Sequence, residues 1–211
     1  MKDRRFDILE ASCRVVARRG VRGLRVEDVA RDAGVSVALI YYHFQNREEL
    51  LRRVLEHAND RAGAYTRTGL PASGTPREQI EQILLREIQD DPSVAENVAV
   101  WSEINATAVF EPNLRDAVRA STGRWLRSIE RLIVRAQGDG SVSDVVDPVA
   151  AAARLTALTD GLSTRWLTGS LSTADARTLL AGAVGLELGP PDAPAAITTR
   201  PRAQRPADRL V

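Results

Sequence analysis

The chain has 211 residues, and its 29 basic and 28 acidic side chains leave a formal net charge of +1, so affinity for nucleic acid must come from locally placed arginines. Cys13 is the only cysteine, which excludes an internal disulfide and a cysteine-based metal site. The N-terminus carries no apolar signal segment, and no run of about 18 apolar residues occurs, so we expect a cytoplasmic protein that does not enter a membrane.

The first predicted helix begins after Asp3, whose carboxylate can cap it, and ends at Gly20. Apolar residues recur along it at helical spacing: Phe6, Leu9, Cys13, Val16 and Ala17. Cys13 lies on this face, so we interpret it as a core residue. Arg4 and Arg5 at the helix start are either solvated or an arm that contacts a phosphate or a minor groove.

Two short helices joined by a tight turn are predicted over residues 26–44. Gly34 can adopt the left-handed conformation that ends the first helix, and Ser36 is a suitable N-cap for the second. Ile40 and Phe44 anchor the second helix inward, so at about 100° per residue its opposite side faces outward. This arrangement predicts a helix-turn-helix whose second helix enters the major groove of double-stranded DNA.

Four motifs in this part of the chain resemble the TetR family of repressors: Asp28-Val29-Ala30, Ala33-Gly34-Val35-Ser36, Ile40-Tyr41-Tyr42-His43-Phe44 and Arg47-Glu48-Glu49-Leu50-Leu51. The resemblance implies an all-α protein of about nine helices. A three-helix DNA-binding domain would be joined to a helical domain for ligand binding and dimerisation. We expect these domains at residues 1–46 and 47–188.

The candidate DNA-contacting residues lie on and around the second helix of the motif. They are Arg25, Ser36, Val37, Ala38, Leu39, Tyr41, Tyr42, His43 and Arg47. Where the family commonly has Lys, Gly and Thr, this chain has Val37, Ala38 and Leu39, which can contact thymine methyl groups. Tyr42 can reach a base edge or a phosphate through its hydroxyl.

The family resemblance implies phosphate contacts for the remaining candidates. It assigns them to Tyr41, His43 and Arg47, although packing between helices is an equal alternative for His43. Arg25 stands where the family usually has a capping Ser or Thr, so that cap is lost. Its guanidinium is either a phosphate ligand or exposed to solvent.

Proline and glycine punctuation predicts an all-helical second domain without strands. Asn46 caps its first helix, residues 69–74 form a loop, and further helices span 76–90, 92–109, 112–137, 148–169 and 173–187. From Gly189 onward the chain is rich in Pro, Ala and Arg and has no sustained helical period. We therefore expect residues 189–211 to be a disordered tail.

All three tryptophans lie in this second domain, and each has polar neighbours on its own helix face. The candidate ligand-binding residues are Asn97, Trp101, Asn105, Ser121, Thr122, Trp125, Thr159, Ser163 and Trp166. This mixture predicts a cavity with aromatic walls and a few polar groups. The alternative is a packed core in which Ser and Thr bond back to their own helices. No strong charge lies on these faces, which disfavours a ligand with several charges.

A looser resemblance extends into this domain through Val100-Trp101-Ser102-Glu103, Asn113-Leu114-Arg115, Arg124-Trp125 and Asp160-Gly161-Leu162. These motifs are similar to the ligand-domain helices of TetR members related to the choline-responsive betaine regulator. In that family the last two long helices form a homodimer. Here both are rich in small residues, which either allow close approach of a partner or serve internal packing.

We therefore predict a homodimeric repressor that binds a near-palindromic operator and is released by a small-molecule effector. No cofactor or metal is expected. One Cys and two His residues provide no catalytic cluster, so we do not expect an enzyme. The alternative is a DNA-binding regulator or architectural protein without an effector, which a test of release by small molecules would distinguish.

Overall fold

The computed structural model describes residues 3–68 and 74–189 of the chain. The predicted tail, apart from Gly189, and most of the predicted 69–74 loop lie outside these residues. Nine helices and no strands form in the described part, which confirms the all-α prediction. They are α1 (Arg4–Arg19), α2 (Val26–Ala33), α3 (Val37–His43), α4 (Arg47–Arg67), α5 (Pro76–Leu85), α6 (Pro92–Phe110), α7 (Pro112–Gly138), α8 (Pro148–Leu167) and α9 (Thr173–Leu188).

Side chains cap the helices where the sequence predicts it. The Asp3 carboxylate accepts a hydrogen bond from the Arg5 amide at 3.0 Å, and the Asn46 side chain accepts one from the Glu49 amide at 2.8 Å. Arg25 provides no side-chain cap for α2, as the sequence indicates. These caps fix where α1 and α4 begin on either side of the helix-turn-helix.

One predicted span is wrong at its end, because α5 ends at Leu85 and not near residue 90. The carbonyl groups at this end are bound from outside the helix. The Arg177 guanidinium of α9 donates hydrogen bonds to the carbonyls of Leu85 and Ile88. Partners of this kind stabilise a helix terminus that would otherwise leave acceptors unpaired. As a result, Glu87 lies in a turn beyond the helix.

Two apolar cores hold the molecule together. The first extends from α1–α4 into α6 and the start of α7, and its fully buried members include Ile8, Ile40, Leu50, Val100 and Ile104. The second joins α5 with α7, α8 and α9. The first core therefore crosses the predicted boundary at residues 46 and 47, so α6 of the second domain packs directly against α1 of the first.

Candidate functional site

The helix-turn-helix has the geometry that its sequence predicts. Gly34 ends α2 with φ 65° and ψ 39°, in the left-handed region that suits glycine. Ser36 then caps α3 by accepting a hydrogen bond from the Leu39 amide at 3.2 Å. Ile40 and Phe44 are each only 1% exposed, which fixes the rotation of α3 about its axis.

The outward face of α3 carries two tyrosines. Tyr42 is 82% exposed and Tyr41 is 49% exposed, so both are free to meet DNA. Ala38 is exposed as well. Val37 and Leu39 are only half-buried, and Val37 packs partly against the first core. Tyr42 is therefore the most prominent side chain on the surface that would enter a major groove.

Ion pairs hold α2 against α1. Asp32 of α2 binds Arg14 at 2.7 Å and Arg18 at 3.0 Å, both from α1. Exposed pairs of this kind contribute little stability, in the range of about 0–1 kcal/mol each. Their geometry nevertheless fixes how α2, and with it α3, is oriented on the supporting helix.

The arginine and histidine candidates lie in different environments. Arg25 is exposed at the start of α2. His43 is half-buried, with its ring 5.2 Å from Tyr42 and 6.3 Å from Phe44. Arg47 donates a hydrogen bond to the Val21 carbonyl, which engages one of its five N–H groups. Any phosphate contact by Arg47 would therefore use the remaining donors.

A cavity of about 920 Å³ lies between the two cores. Its walls come from α4, α6, α7, α8 and the turn after α5. Trp101 packs against the first core and Trp125 against the second, and both also line the cavity. Seven of the nine predicted ligand-binding residues lie in these walls: Asn97, Trp101, Asn105, Ser121, Trp125, Thr159 and Ser163.

The other two predicted residues, Thr122 and Trp166, do not line this cavity. Trp166 packs against the second core, and its indole N–H donates a hydrogen bond to the Thr173 hydroxyl at 2.9 Å. Trp166 follows Thr164, the last residue of α8 in the cavity lining, by two positions. For Trp166 the core interpretation is therefore correct.

The prediction that these faces carry no strong charge is wrong. Glu87, from the turn after α5, and Asp160, from α8, both line the cavity. Asp160 is a close helical neighbour of Thr159 and Ser163, so the helical period could have revealed it. Glu87 was hidden, because the sequence placed it inside a longer α5.

Both carboxyl groups have raised pKa values. Burial, with a smaller contribution from the Asp160 charge, raises the pKa of Glu87 to about 7. Burial raises the pKa of Asp160 to about 6, although a hydrogen bond from Trp101 acts in the opposite direction. Asp160 is itself an exposed residue, whereas Glu87 is half-buried. Titratable groups perturbed in this way inside a cavity are typical of functional sites.

A short polar chain lies beside Glu87. The Tyr65 hydroxyl donates a hydrogen bond to Glu87 Oε2 at 2.8 Å. The Asn97 side-chain nitrogen donates to the Ala58 carbonyl at 3.1 Å and lies 3.4 Å from the Tyr65 hydroxyl. Asn97 is 4% exposed, yet its Oδ1 atom accepts no hydrogen bond from any described residue. A buried acceptor without a partner is costly, so its presence in a cavity wall points to a ligand.

One cavity residue also contacts the DNA-binding domain. Glu103 of α6 lines the cavity, and its Oε2 atom accepts a hydrogen bond from the Val21 amide at 3.0 Å. The carbonyl of the same Val21 accepts from Arg47 at the start of α4. The loop between α1 and α2 is therefore held on one side by the cavity wall and on the other by the helix that follows α3.

Comparison with known protein families agrees with this architecture. Residues 8–54 match the model of bacterial regulatory proteins of the tetR family, and residues 76–189 match that of the BetI-type transcriptional repressor C-terminal domain. The chain belongs to the TetR family. It is a DNA-binding transcriptional regulator of the ligand-responsive kind, with a BetI-like C-terminal domain, and its curated relatives are transcriptional regulators.

Individual TetR-family relatives cover most of the chain. The transcriptional regulator BetI of Burkholderia mallei is 26% identical over 170 residues, which are 80% of this chain and 83% of that protein. PksA of Bacillus subtilis is 26% identical over 160 residues, covering 76% and 77% of the two chains.

Two solved structures are similar over an even larger share. A TetR-family regulator from Rhodococcus sp. is 46% identical with a TM-score of 0.85, covering 89% of this chain and 100% of its own. A regulator from Saccharomonospora viridis, solved in complex with choline, is 27% identical with a TM-score of 0.75, covering 87% and 96%.

No helix among the described residues is long and apolar enough to cross a membrane. Within the same residues, no group of three or more His, Cys, Asp or Glu side chains is placed to hold a metal ion.

Proposed function

We propose that this TetR-family protein is a homodimeric repressor that binds a near-palindromic operator and leaves it when a small organic cation occupies the cavity. The observation that carries this proposal is Glu103, which lines the cavity and also binds the loop preceding α2. Through this residue, a ligand that moves α6 displaces the DNA-binding domain. Such a repressor acts where the chromosome is, in the cytoplasm.

The operator symmetry follows from two copies of α3. A twofold dimer presents the same helix to two half-sites, separated by about one helical turn of DNA or a multiple of it. We keep the DNA contacts that the sequence predicts for α3 and its neighbours. Tyr42 and the apolar residues of α3 would read bases, whereas Tyr41, His43, Arg47 and Arg25 would hold phosphates.

The outer faces of α8 and α9 support the dimer. Leu158 is 37%, Leu179 52% and Leu186 90% exposed, which leaves apolar side chains uncovered in one copy of the chain. A Cβ atom added at Gly161, Gly182 or Gly185 would meet no atom within 4 Å in the described chain. Internal packing therefore does not require these glycines, whereas close approach of a second copy explains them.

The cavity chemistry supports a cationic effector. Its volume is of the size that holds small molecules. Glu87 and Asp160 supply negative charge, and Trp101 and Trp125 supply aromatic walls. Carboxylates and aromatic faces together attract ammonium groups, in part by cation–π interaction. The Saccharomonospora viridis relative, whose structure holds choline, is consistent with a ligand of this class.

The function can be tested by selecting DNA bound by the full chain from a random pool. We expect an inverted repeat, and we expect choline and simple alkylamines, added in turn, to lower the operator affinity. An asymmetric site would overturn the dimeric arrangement. If no small cation changed operator binding, a regulator without a cationic effector would be the better description.

A separate variant tests the dimer surface. Leu186→Glu places a charge on a side chain that is 90% exposed in one copy, so the monomer should fold normally. If α8 and α9 form the interface, sedimentation analysis should show monomers and the operator affinity should fall sharply. Val145→Glu is the matched control, because Val145 is 92% exposed in the loop before α8, and it should leave the dimer intact.

A further inference from the structure

Four polar side chains of the cavity wall present hydrogen-bond acceptors: Glu87, Asn97, Thr159 and Asp160. The Asn97 amide nitrogen must face Ala58, because a carbonyl oxygen can only accept. Its Oδ1 atom is therefore left as an acceptor, and the described residues supply no donor to it. Thr159 donates its hydroxyl proton to the Leu155 carbonyl at 2.8 Å, so its oxygen presents lone pairs only. Glu87 and Asp160 add carboxylate oxygens to the same cavity.

Glu87 and Asp160 line the same cavity, and the charge of Asp160 contributes to the raised pKa of Glu87. Arg67, Arg124 and Arg131 also line the cavity, but none of them forms an ion pair with either carboxylate in the described part of the chain. All three arginines are exposed, and Arg124 donates a hydrogen bond to Ser121 at 3.0 Å. The two carboxylates therefore have no direct ion-pair partner among the described residues, although arginines lie elsewhere in the same wall.

These observations narrow the chemistry of the ligand. A quaternary ammonium group has no N–H, so it would leave the buried Asn97 oxygen unpaired at a cost comparable to a lost hydrogen bond. A primary ammonium group has three N–H donors, which match the acceptor-rich wall. One positive charge would also leave one of the two neighbouring carboxylates without a counter-charge.

We propose that the effector is an aliphatic diamine, with one ammonium group on Glu87 and the Asn97 oxygen and the other on Asp160. The connecting methylene chain lies between Trp101 and Trp125. This proposal rests on the proposed function, since it names the chemical class of the cation that the cavity binds. Binding would satisfy the Asn97 oxygen and neutralise both carboxylates at once.

The test is calorimetric titration of the full-length protein with three probes: diaminobutane, its fully N-methylated analogue and butylamine. We expect diaminobutane to bind roughly tenfold more tightly than each of the other two, because each charge-assisted hydrogen bond contributes on the order of 1.4 kcal/mol or more. Equal or tighter binding of the N-methylated analogue would overturn the proposal and leave a quaternary effector in its place.

Isosteric variants locate the two contacts. Glu87→Gln and Asp160→Asn should each weaken diaminobutane binding roughly tenfold, since each removes one counter-charge without changing shape. Asp60→Asn is the matched control, because Asp60 also lines the cavity, from α4, but takes part in neither of the two proposed contacts. An equal loss in Asp60→Asn would mean that general negative charge attracts the ligand, which contradicts the two named contacts. Operator binding by each variant, measured without ligand, confirms that it folds.

The outcomes separate this inference from the proposed function. If N-methylated and primary cations release the operator equally well, the diamine assignment fails while the cation-responsive repressor stands. If none of the three probes binds, but a neutral or anionic compound releases DNA, the cationic effector itself is wrong and the diamine fails with it.

Discussion

The helix-turn-helix and the effector cavity differ in whether their carboxylates form ion pairs. Asp32 at the helix-turn-helix is paired with Arg14 and Arg18. Glu87 and Asp160 in the cavity receive no arginine partner from the described residues, and their pKa values are raised to about 7 and 6. Paired surface charges orient helices at little cost, whereas desolvated carboxylates without an ion-pair partner reduce stability. The first region is therefore complete before DNA arrives, and under the proposed function the second is completed by a ligand.

The largest expected effect is on DNA binding. Tyr42→Ala should weaken operator binding tenfold or more, roughly 1–2 kcal/mol, because it removes the most exposed side chain of the recognition helix. The melting temperature should not change, since this side chain is 82% exposed and supports no core contact. Fluorescence anisotropy with a labelled operator measures the affinity.

The variant Tyr42→Phe distinguishes a contact made by the hydroxyl group from one made by the aromatic ring. If the hydroxyl makes the contact, Tyr42→Phe should bind as weakly as Tyr42→Ala. If the ring packs against bases, Tyr42→Phe should keep most of the affinity. Operator binding by Tyr42→Ala at parental strength would contradict the assignment of α3 as the reading helix.

The sequence was sufficient for the helix-turn-helix because its determinants are local. Gly34, Ser36, Ile40 and Phe44 lie within eleven positions of one another, and each acts through its own backbone or its adjacent helix. Turn, cap and buried face could therefore be read directly and are confirmed in the structure. The side-chain bond between Arg47 and Val21 was not predictable in this way, because it depends on the path of the loop between α1 and α2.

The cavity was only partly predictable because five segments build it. Helical period placed Asn97, Trp101 and Asn105 correctly, since they share one face of α6. The same reasoning failed for Trp166, because period alone cannot show where a helix leaves the cavity. It failed for Glu87 because the end of α5 depends on Arg177, which is about ninety positions away in the sequence.

The next effect is smaller and concerns Arg47. If its free N–H groups hold a phosphate, Arg47→Ala should weaken operator binding and reduce the slope of log affinity against log salt by roughly one unit. If the side chain only supports the Val21 loop, the affinity should fall while the slope stays unchanged. Arg52→Ala is the control, since Arg52 lies one turn further along α4 and pairs with Glu49 at 3.7 Å.

A moderate effect on stability is expected from Glu87. Its pKa is about 7 in the folded protein and 4.5 as the ordinary value, so the folded state binds more protons between these values and its stability falls as pH rises through them. Tyr65 of α4 and Asp160 of α8 are the titratable groups that act on it. Glu87→Gln should therefore raise the melting temperature by roughly 2–6 °C at pH 8 and hardly at all below pH 4.5.

The surface variant Asp116→Asn is the control for this measurement, because that side chain is 89% exposed and its replacement should leave the melting temperature unchanged. A melting temperature of Glu87→Gln that stays below that of the parent at every pH would show that the carboxylate is structurally required. In that case the Glu87 carboxylate would stabilise the fold, as the ion-paired Asp32 carboxylate does, and the contrast between the two regions would not hold.

The smallest expected effect concerns Trp166, which the sequence grouped with the cavity and the structure places against the second core. All three tryptophans lie in the effector domain, so intrinsic fluorescence reports on that domain alone. Trp166→Phe should leave the effector affinity within about twofold of the parent, because the lost hydrogen bond to Thr173 lies outside the cavity.

The ligand-induced change in tryptophan emission should also survive in this variant. It should largely disappear in the double variant Trp101→Phe and Trp125→Phe, whose residues form the aromatic walls. If the emission change instead disappeared with Trp166, the ligand would occupy the α8–α9 side of the molecule, and the cavity described between the two cores would not be the effector site.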